Sequence, residues 1–132
     1  MAKLTESQKQ FLEQPYVGVV TTLRKDGSPH NTVVWVDVDD GVPSFNTALG
    51  RAKPTQLEAD PRAGLIVVNP SDPFTWVAVD GHAEVTTEGA DAQIDKLAKK
   101  YLGVDEYPNR VEGEVRLKVR ITPEHVDASG LA

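Results

Sequence analysis

Apolar and polar residues alternate along much of this chain with the period of two that marks β-strands. Residues 16–23 (YVGVVTTL) are rich in β-branched side chains and predict a strand. KDGSP at 25–29 is turn chemistry, so a strand predicted over 30–38 returns antiparallel. Thr32, Val34, Val36 and Val38 share one of its faces, and Asn31, Val33, Trp35 and Asp37 the other. A second turn, Asp39-Asp40-Gly41, leads into a strand over 42–47. Further strands are predicted over 63–69, 74–87 and 114–122, with PSDP at 70–73 as a loop and Gly81 as a bend or bulge. In the last strand Val115, Leu117, Val119 and Ile121 are expected to face in, while Arg116, Lys118 and Arg120 form a solvated outer face.

Three segments break this rhythm with helical spacing. Thr5 and Gln8 form a capping box for a helix that runs to Gln14 and stops at Pro15. Pro54 suits the first position of a second helix over 54–60, closed by Asp60-Pro61. Ile94, Leu97, Ala98, Tyr101 and Leu102 give a third helix over 90–102. Three antiparallel strands, a short helix, two strands, a longer helix and a closing strand predict a mainly β fold. The expected form is a small barrel with helices over its openings, a single domain over 1–132 without internal repeat or linker.

Composition narrows the function. With 39% hydrophobic and 26% charged residues the chain is a globular protein. Its net charge of −6 argues against nucleic acid as the main partner. The absence of cysteine removes disulfides, thiolate metal sites and a cysteine nucleophile. The N-terminus lacks a signal-peptide core, and LIVV at 65–68 is far short of the ~20 apolar residues that span a bilayer. A soluble, cytoplasmic protein with no membrane partner is expected. His30, His82 and His125 are too scattered in sequence to suggest a metal site, and Asp80, His82 and Glu84 share a strand face without a second ligand pair.

The most informative stretch is SFNTALGRAKPTQLEADPR at 44–62. A strand ends in small polar residues, and Arg51 and Lys53 then flank the start of a helix. A helix N-terminus carries partial positive charge and ordinarily attracts Asp or Glu. Two cations there are unfavourable unless an anion lies between them, and a phosphate would resolve the conflict. In this reading Lys53 caps the helix and the amides of Thr55 to Leu57 face the ligand. The alternative is a solvated loop in which Arg51 pairs with Glu58 or Asp60.

GVVTTLRKDGSPHNTVVW, then VPSFNTALGRAKPTQLEADPRAGLIVV, then TWVAVDGHAEV resembles the pyridoxamine-5′-phosphate-oxidase-like, flavin-reductase split β-barrel superfamily. Within it the chain resembles the deazaflavin (coenzyme F420)-dependent members, over residues 10–122. The resemblance implies a split β-barrel of the FMN/F420-binding type, a homodimer with two sites at the subunit interface. It implies that Arg51, Lys53 and the backbone of Ala52 hold the cofactor phosphate. Asn46 and Thr47 match positions near the ribityl chain, and His30, Thr32 and Val33 match positions along the ring. Phe74 and Trp76 match a region where relatives present an aromatic to the cofactor. His30 could then donate a proton or hydrogen bond, while core or interface packing is the default for Trp35 and Trp76.

The implied activity is transfer of a hydride from reduced coenzyme F420 to a small unsaturated or conjugated acceptor. An FMN-binding reductase or oxidase of the same fold, a non-catalytic F420 carrier, and a small-molecule or protein-interaction barrel with a vestigial cofactor site are the alternatives. Two departures limit the transfer. Pyridoxamine-phosphate oxidases proper carry further C-terminal substrate residues, whereas this chain stops at Ala132, so vitamin B6 oxidation is not expected. Val33 is apolar where some deazaflavin-binding relatives have a polar side chain.

Overall fold

A computed structural model describes residues 2–131. Helix α1 (Glu6–Glu13) is followed by strands β1 (Gly18–Leu23), β2 (Pro29–Val34), β3 (Asp37–Asp39) and β4 (Val42–Ala48). Helix α2 (Ala52–Ala59), strands β5 (Arg62–Asn69) and β6 (Asp72–Thr86), helix α3 (Ala90–Leu102) and strand β7 (Arg116–Ser129) complete the chain. One antiparallel sheet runs in the order β2-β1-β5-β6-β7-β4-β3.

The fold turns on the segment predicted as one strand over 30–38. It is two strands, β2 and β3, and they lie at opposite edges of the sheet. Only Trp35 and Val36 separate them. A flat sheet of this width would hold its edges nearly 30 Å apart at ~4.8 Å per strand. Three chain steps cover at most ~11 Å. The sheet must therefore roll until its edges lie side by side, which makes it a barrel with a seam. The pleat expected from sequence survives the break, since Val34 and Val36 are both buried while Val33 is exposed.

Crossing the seam leaves the backbone of Val36 without a strand partner, and α3 supplies one. The Val36 amide donates to Tyr101 Oη at 2.9 Å, and its carbonyl accepts from Lys100 Nζ at 2.6 Å. Tyr101 Oη donates on to the Tyr16 carbonyl at 2.6 Å, and Lys100 Nζ to that of Leu12 at 2.7 Å. Burial pushes the Lys100 ammonium down to about 8 against the favourable field of Asp37. Trp35 stacks on Tyr101, ring centroids 5.4 Å apart and nearly parallel.

The remaining elements follow from local sequence. Both bonds of the Thr5–Gln8 capping box are present, and Phe11 and Leu12 of α1 enter the core. The β3–β4 turn places Asp40 and Gly41 at positive φ, the pairing that a tight two-residue hairpin requires. The barrel interior is filled from all sides, by Val20, Phe45, Leu65, Val79, Val119 and Ile121 among others. Strand β6 begins at Asp72, so the predicted loop at 70–73 shrinks to a tight turn. Gly81 does mark a bulge, where the β6–β7 register shifts. A Cβ there would lie 1.9 Å from the Thr122 carbonyl oxygen, so the bulge has no room for any other residue.

Strand β7 corrects the sequence reading most. It starts at Arg116 and continues to Ser129, leaving Val115 outside and exposed. Leu117, Val119 and Ile121 face in as expected. Arg116 is buried, however, and Lys118 and Arg120 are half-buried, not solvated. The reason is topological, because β7 is an inner strand flanked by β6 and β4 and covered by α3. Lys118 and Arg120 both pair with Asp39, at 3.0 and 3.3 Å.

Replacing Tyr101 with Phe keeps the ring stack but leaves the Val36 amide and the Tyr16 carbonyl unpaired. We expect Tyr101→Phe to cost about 1–3 kcal/mol in urea unfolding. A change within ~0.5 kcal/mol, the usual range for surface substitutions, would show that the seam does not depend on this hydroxyl.

Candidate functional site

Strand β4 ends at Ala48, and the chain turns through Leu49 and Gly50 into α2. The helix starts earlier than Pro54 suggests. Arg51 is the cap residue, with extended backbone (φ −82°, ψ 168°) and no side-chain capping bond, and Lys53 lies within the first turn. Pro54 falls at the third helical position, where its missing amide would have had no acceptor anyway. The first-turn amides without an intrahelical acceptor are therefore those of Ala52 and Lys53, not of Thr55 to Leu57.

The electrostatic conflict anticipated at this turn is present. No acidic residue occupies the first turn of α2. Lys53 is half-buried and, among the described residues, has no carboxylate within ion-pair distance. Burial lowers its ammonium below the usual lysine range, and the charge of Arg51 lowers it further. Arg51 reaches neither Glu58 nor Asp60 but Glu114, at 3.8 Å. Asp60 is engaged by Arg62, whose hydrogen bonds hold its carboxyl at about 2.

Arg51 and Lys53 open onto a cleft of about 250 Å³. Val33 and Trp35 form one side, and Asn46 and Arg116 lie along β4 and β7. Tyr107 and Asn109, from the segment after α3, complete it. Sequence reasoning missed Arg116 and Tyr107 as site residues. Arg116 occupies a position that alternation assigns outward, and only its pairing with Ala48, at the end of β4, shows that it stands beside the turn that carries Arg51 and Lys53. Its side chain is 3% exposed, bonded to Glu114 at 3.1 Å, and its guanidinium lies 5.3 Å from the Tyr107 ring centre.

Asn46 connects this cation to the rest of the fold. Its carbonyl oxygen accepts from Arg116 Nε at 2.8 Å. Its amide nitrogen donates to the Ala90 carbonyl and to Gln93 Oε1, at 2.8 and 3.0 Å. Gln93 in turn donates to Ser44 Oγ at 2.7 Å. Asn46 therefore lines the cleft, with its polar atoms already holding the floor in place.

The other candidates are dispersed. Val33 lines the cleft and is 67% exposed. Thr32 faces the interior and Thr47 is fully buried, and the hydroxyls of both lack a hydrogen-bond partner among the described residues. His30 binds Gln56 Oε1 through Nδ1 at 3.0 Å, linking β2 to α2 beside the turn. Phe74 and Trp76 lie apart from the cleft, on the outer face of β6; Phe74 is 80% exposed and Trp76 half-buried. The structure unites Val33, Asn46, Arg51 and Lys53 at the cleft and leaves the two aromatics elsewhere. Among the described residues no group of three metal-ligating side chains is present, and no helix is long and apolar enough to cross a membrane.

Comparison with known proteins places this geometry in context. The family model described as pyridoxamine 5′-phosphate oxidase matches residues 4–129. A biliverdin reductase of Mycobacterium tuberculosis (strain CDC 1551 / Oshkosh), named as dependent on reduced coenzyme F420, is 28% identical over 119 residues, 88% of this chain and 85% of the relative. Among solved structures, an F420 reductase matches with a TM-score of 0.81 at 26% identity, covering 94% of this chain and 98% of its own. A conserved hypothetical protein from Mycobacterium tuberculosis matches with a TM-score of 0.77 over 96% of this chain and 84% of its own. At 23% identity that second likeness speaks for the fold alone.

Removing the Asn46 amide would strand the Nε–H of a buried guanidinium. Asn46→Ala should lower stability by about 1.5–3 kcal/mol, the range for a hydrogen bond to a charged group, as read from denaturant midpoints. A midpoint equal to that of the parent chain would mean that Arg116 has another route to satisfaction.

Proposed function

The chain belongs to the pyridoxamine 5′-phosphate oxidase family, and from that premise we propose that it is a reductase using reduced coenzyme F420. The observation that carries the proposal is the pair Arg51 and Lys53 at the start of α2, with Lys53 half-buried and lacking a carboxylate partner among the described residues. Leaving a cation so placed is costly unless a ligand supplies its counter-charge. A cofactor phosphate seated between the two side chains, on the amides of Ala52 and Lys53, would supply it. A biliverdin reductase named as dependent on reduced F420 and a structure named F420 reductase support the deazaflavin over FMN.

When bound, a reduced deazaflavin supplies a hydride, which needs an electron-poor acceptor held against it. The residues of this chain have the remaining tasks of binding, orienting and excluding water. Arg51 and Lys53 fix the phosphate end. Trp35, Val33 and Tyr107 offer apolar and aromatic walls that would shield the reacting face. His30, tied to Gln56, is the candidate proton or hydrogen-bond donor near the ring. The acceptor is a small unsaturated or conjugated molecule, and biliverdin, named for one relative, is an acceptor of this class.

The site is completed by a second copy of the chain. Val33, Val19 and Ile66 occupy paired positions across β2, β1 and β5, and all three are exposed. Val68 and Phe74 extend the same outer region. An apolar strip of this kind marks an association surface. Val33 belongs both to the strip and to the cleft, so a partner seated there would border the cofactor and could bring its own Phe74 and Trp76 to it.

Two measurements test this reading. Parallel fluorescence titrations with coenzyme F420 and FMN should show micromolar or tighter binding of F420, weakened well beyond tenfold in the Arg51→Ala, Lys53→Ala double variant. Preference for FMN would move the protein to the flavin branch, and unchanged affinity in the double variant would remove the phosphate assignment. Sedimentation should give a dimer for the parent chain and a monomer for Ile66→Glu; a monomeric parent would refute the shared site.

A further inference from the structure

The guanidiniums of Arg51 and Arg116 share one carboxylate, that of Glu114. Glu114 Oε1 lies 3.1 Å from Arg116 Nη1, and Oε2 lies 3.8 Å from Arg51 Nη2. Its side chain is 12% exposed and that of Arg116 3%, so this contact is not a freely solvated surface pair. The segment carrying it is tied down on both sides of the carboxylate. The Glu114 amide donates to the Val111 carbonyl at 3.1 Å, and the Leu49 amide donates to the Val115 carbonyl at 2.9 Å. Glu114 is thus anchored directly against the turn that leads into Arg51.

Both guanidiniums line the cleft with Lys53, while Glu114 stands behind them. The two contacts are unequal. Arg116 is hydrogen-bonded to the carboxylate, whereas Arg51 is held only at ion-pair distance and is 53% exposed. A buried guanidinium requires a counter-charge at all times, and an exposed one can change partners at low cost.

We propose that Glu114 is a resident counter-anion of the cleft, which competes with the phosphate of an incoming ligand for Arg51 and thereby sets the affinity of the site. In the absence of ligand it keeps Arg116 paired and draws Arg51 towards itself. A phosphate entering between Arg51 and Lys53 takes Arg51 from it, and the Arg116 bond remains to hold the cleft floor. The cost of binding is the loss of one ion pair and the repulsion between phosphate and carboxylate. This inference rests on the reading of the cleft as a phosphate site and adds to it the residue that limits how tightly phosphate is held.

Glu114→Gln tests it, because the amide can still accept from Arg116 while its charge is gone. Isothermal titration of the parent chain and the variant with inorganic phosphate and with coenzyme F420, at low salt, gives the comparison. Removing one negative charge at this range should tighten both ligands roughly tenfold. The gain should shrink when Arg51→Ala is combined with Glu114→Gln. Equal or weaker binding by Glu114→Gln would overturn the competition while leaving the phosphate site standing. Failure of both proteins to bind either probe would overturn the phosphate site and the inference together. Independently of any variant, the carboxyl carbon resonance of Glu114 in the parent chain should move on saturation with coenzyme F420; a fixed resonance under saturation would refute the release of Arg51.

Discussion

The whole architecture depends on how the chain crosses from one edge of its sheet to the other in two residues. That crossing forces the sheet to roll, and the roll brings β2 and its Val33 near the β4–α2 turn. The crossing exposes the backbone of Val36 in a place where water cannot serve it. Lys100 and Tyr101, adjacent residues at the end of α3, take both of its polar groups. A lysine is costly to bury, and its lowered ammonium pKa records that cost. The fold accepts it because Nζ has donors enough to close the carbonyls of Val36 and Leu12 together.

The same helix that closes the seam also supports the cleft. Gln93 and the Ala90 carbonyl accept from Asn46, Asn46 accepts from Arg116, and Glu114 also accepts from Arg116. A cationic site is thereby sustained in a protein whose net charge is −6. Long-range field would repel an anionic ligand, but at physiological ionic strength it fades over about 8 Å. Three cations line the cleft against one carboxylate behind them, and the local balance prevails over the global one.

Much of the fold was legible in the sequence. The capping box, the Asp39-Asp40-Gly41 hairpin and the bulge at Gly81 are local signals, and each reads directly from residue type. The break at Trp35 and Val36 was not legible, because an alternating run carries no mark where strand pairing passes from one neighbour to another. Strand β7 was under-read for a related reason. Pro123 suggests an end, yet it sits opposite the Gly81 bulge, where the ladder shifts register and needs no amide from it. At the site, Arg51 and Lys53 were visible because their charge contradicts the helix dipole. Arg116 was invisible, since a cation in a strand reads as solvated until the neighbouring strands and α3 are in place.

The placement of the two tryptophans has a practical side. Trp35 is stacked on Tyr101 at the seam and also walls the cleft. Trp76 lies half-buried on the outer face of β6, opposite Ser129. Indole emission responds to its immediate surroundings, so the chain carries two native optical reporters at different stations. One watches the closure of the barrel and the filling of the cleft; the other watches the outer face. With each silenced in turn by Phe, a single intrinsic signal separates events at the seam and cleft from events on the outer face of β6.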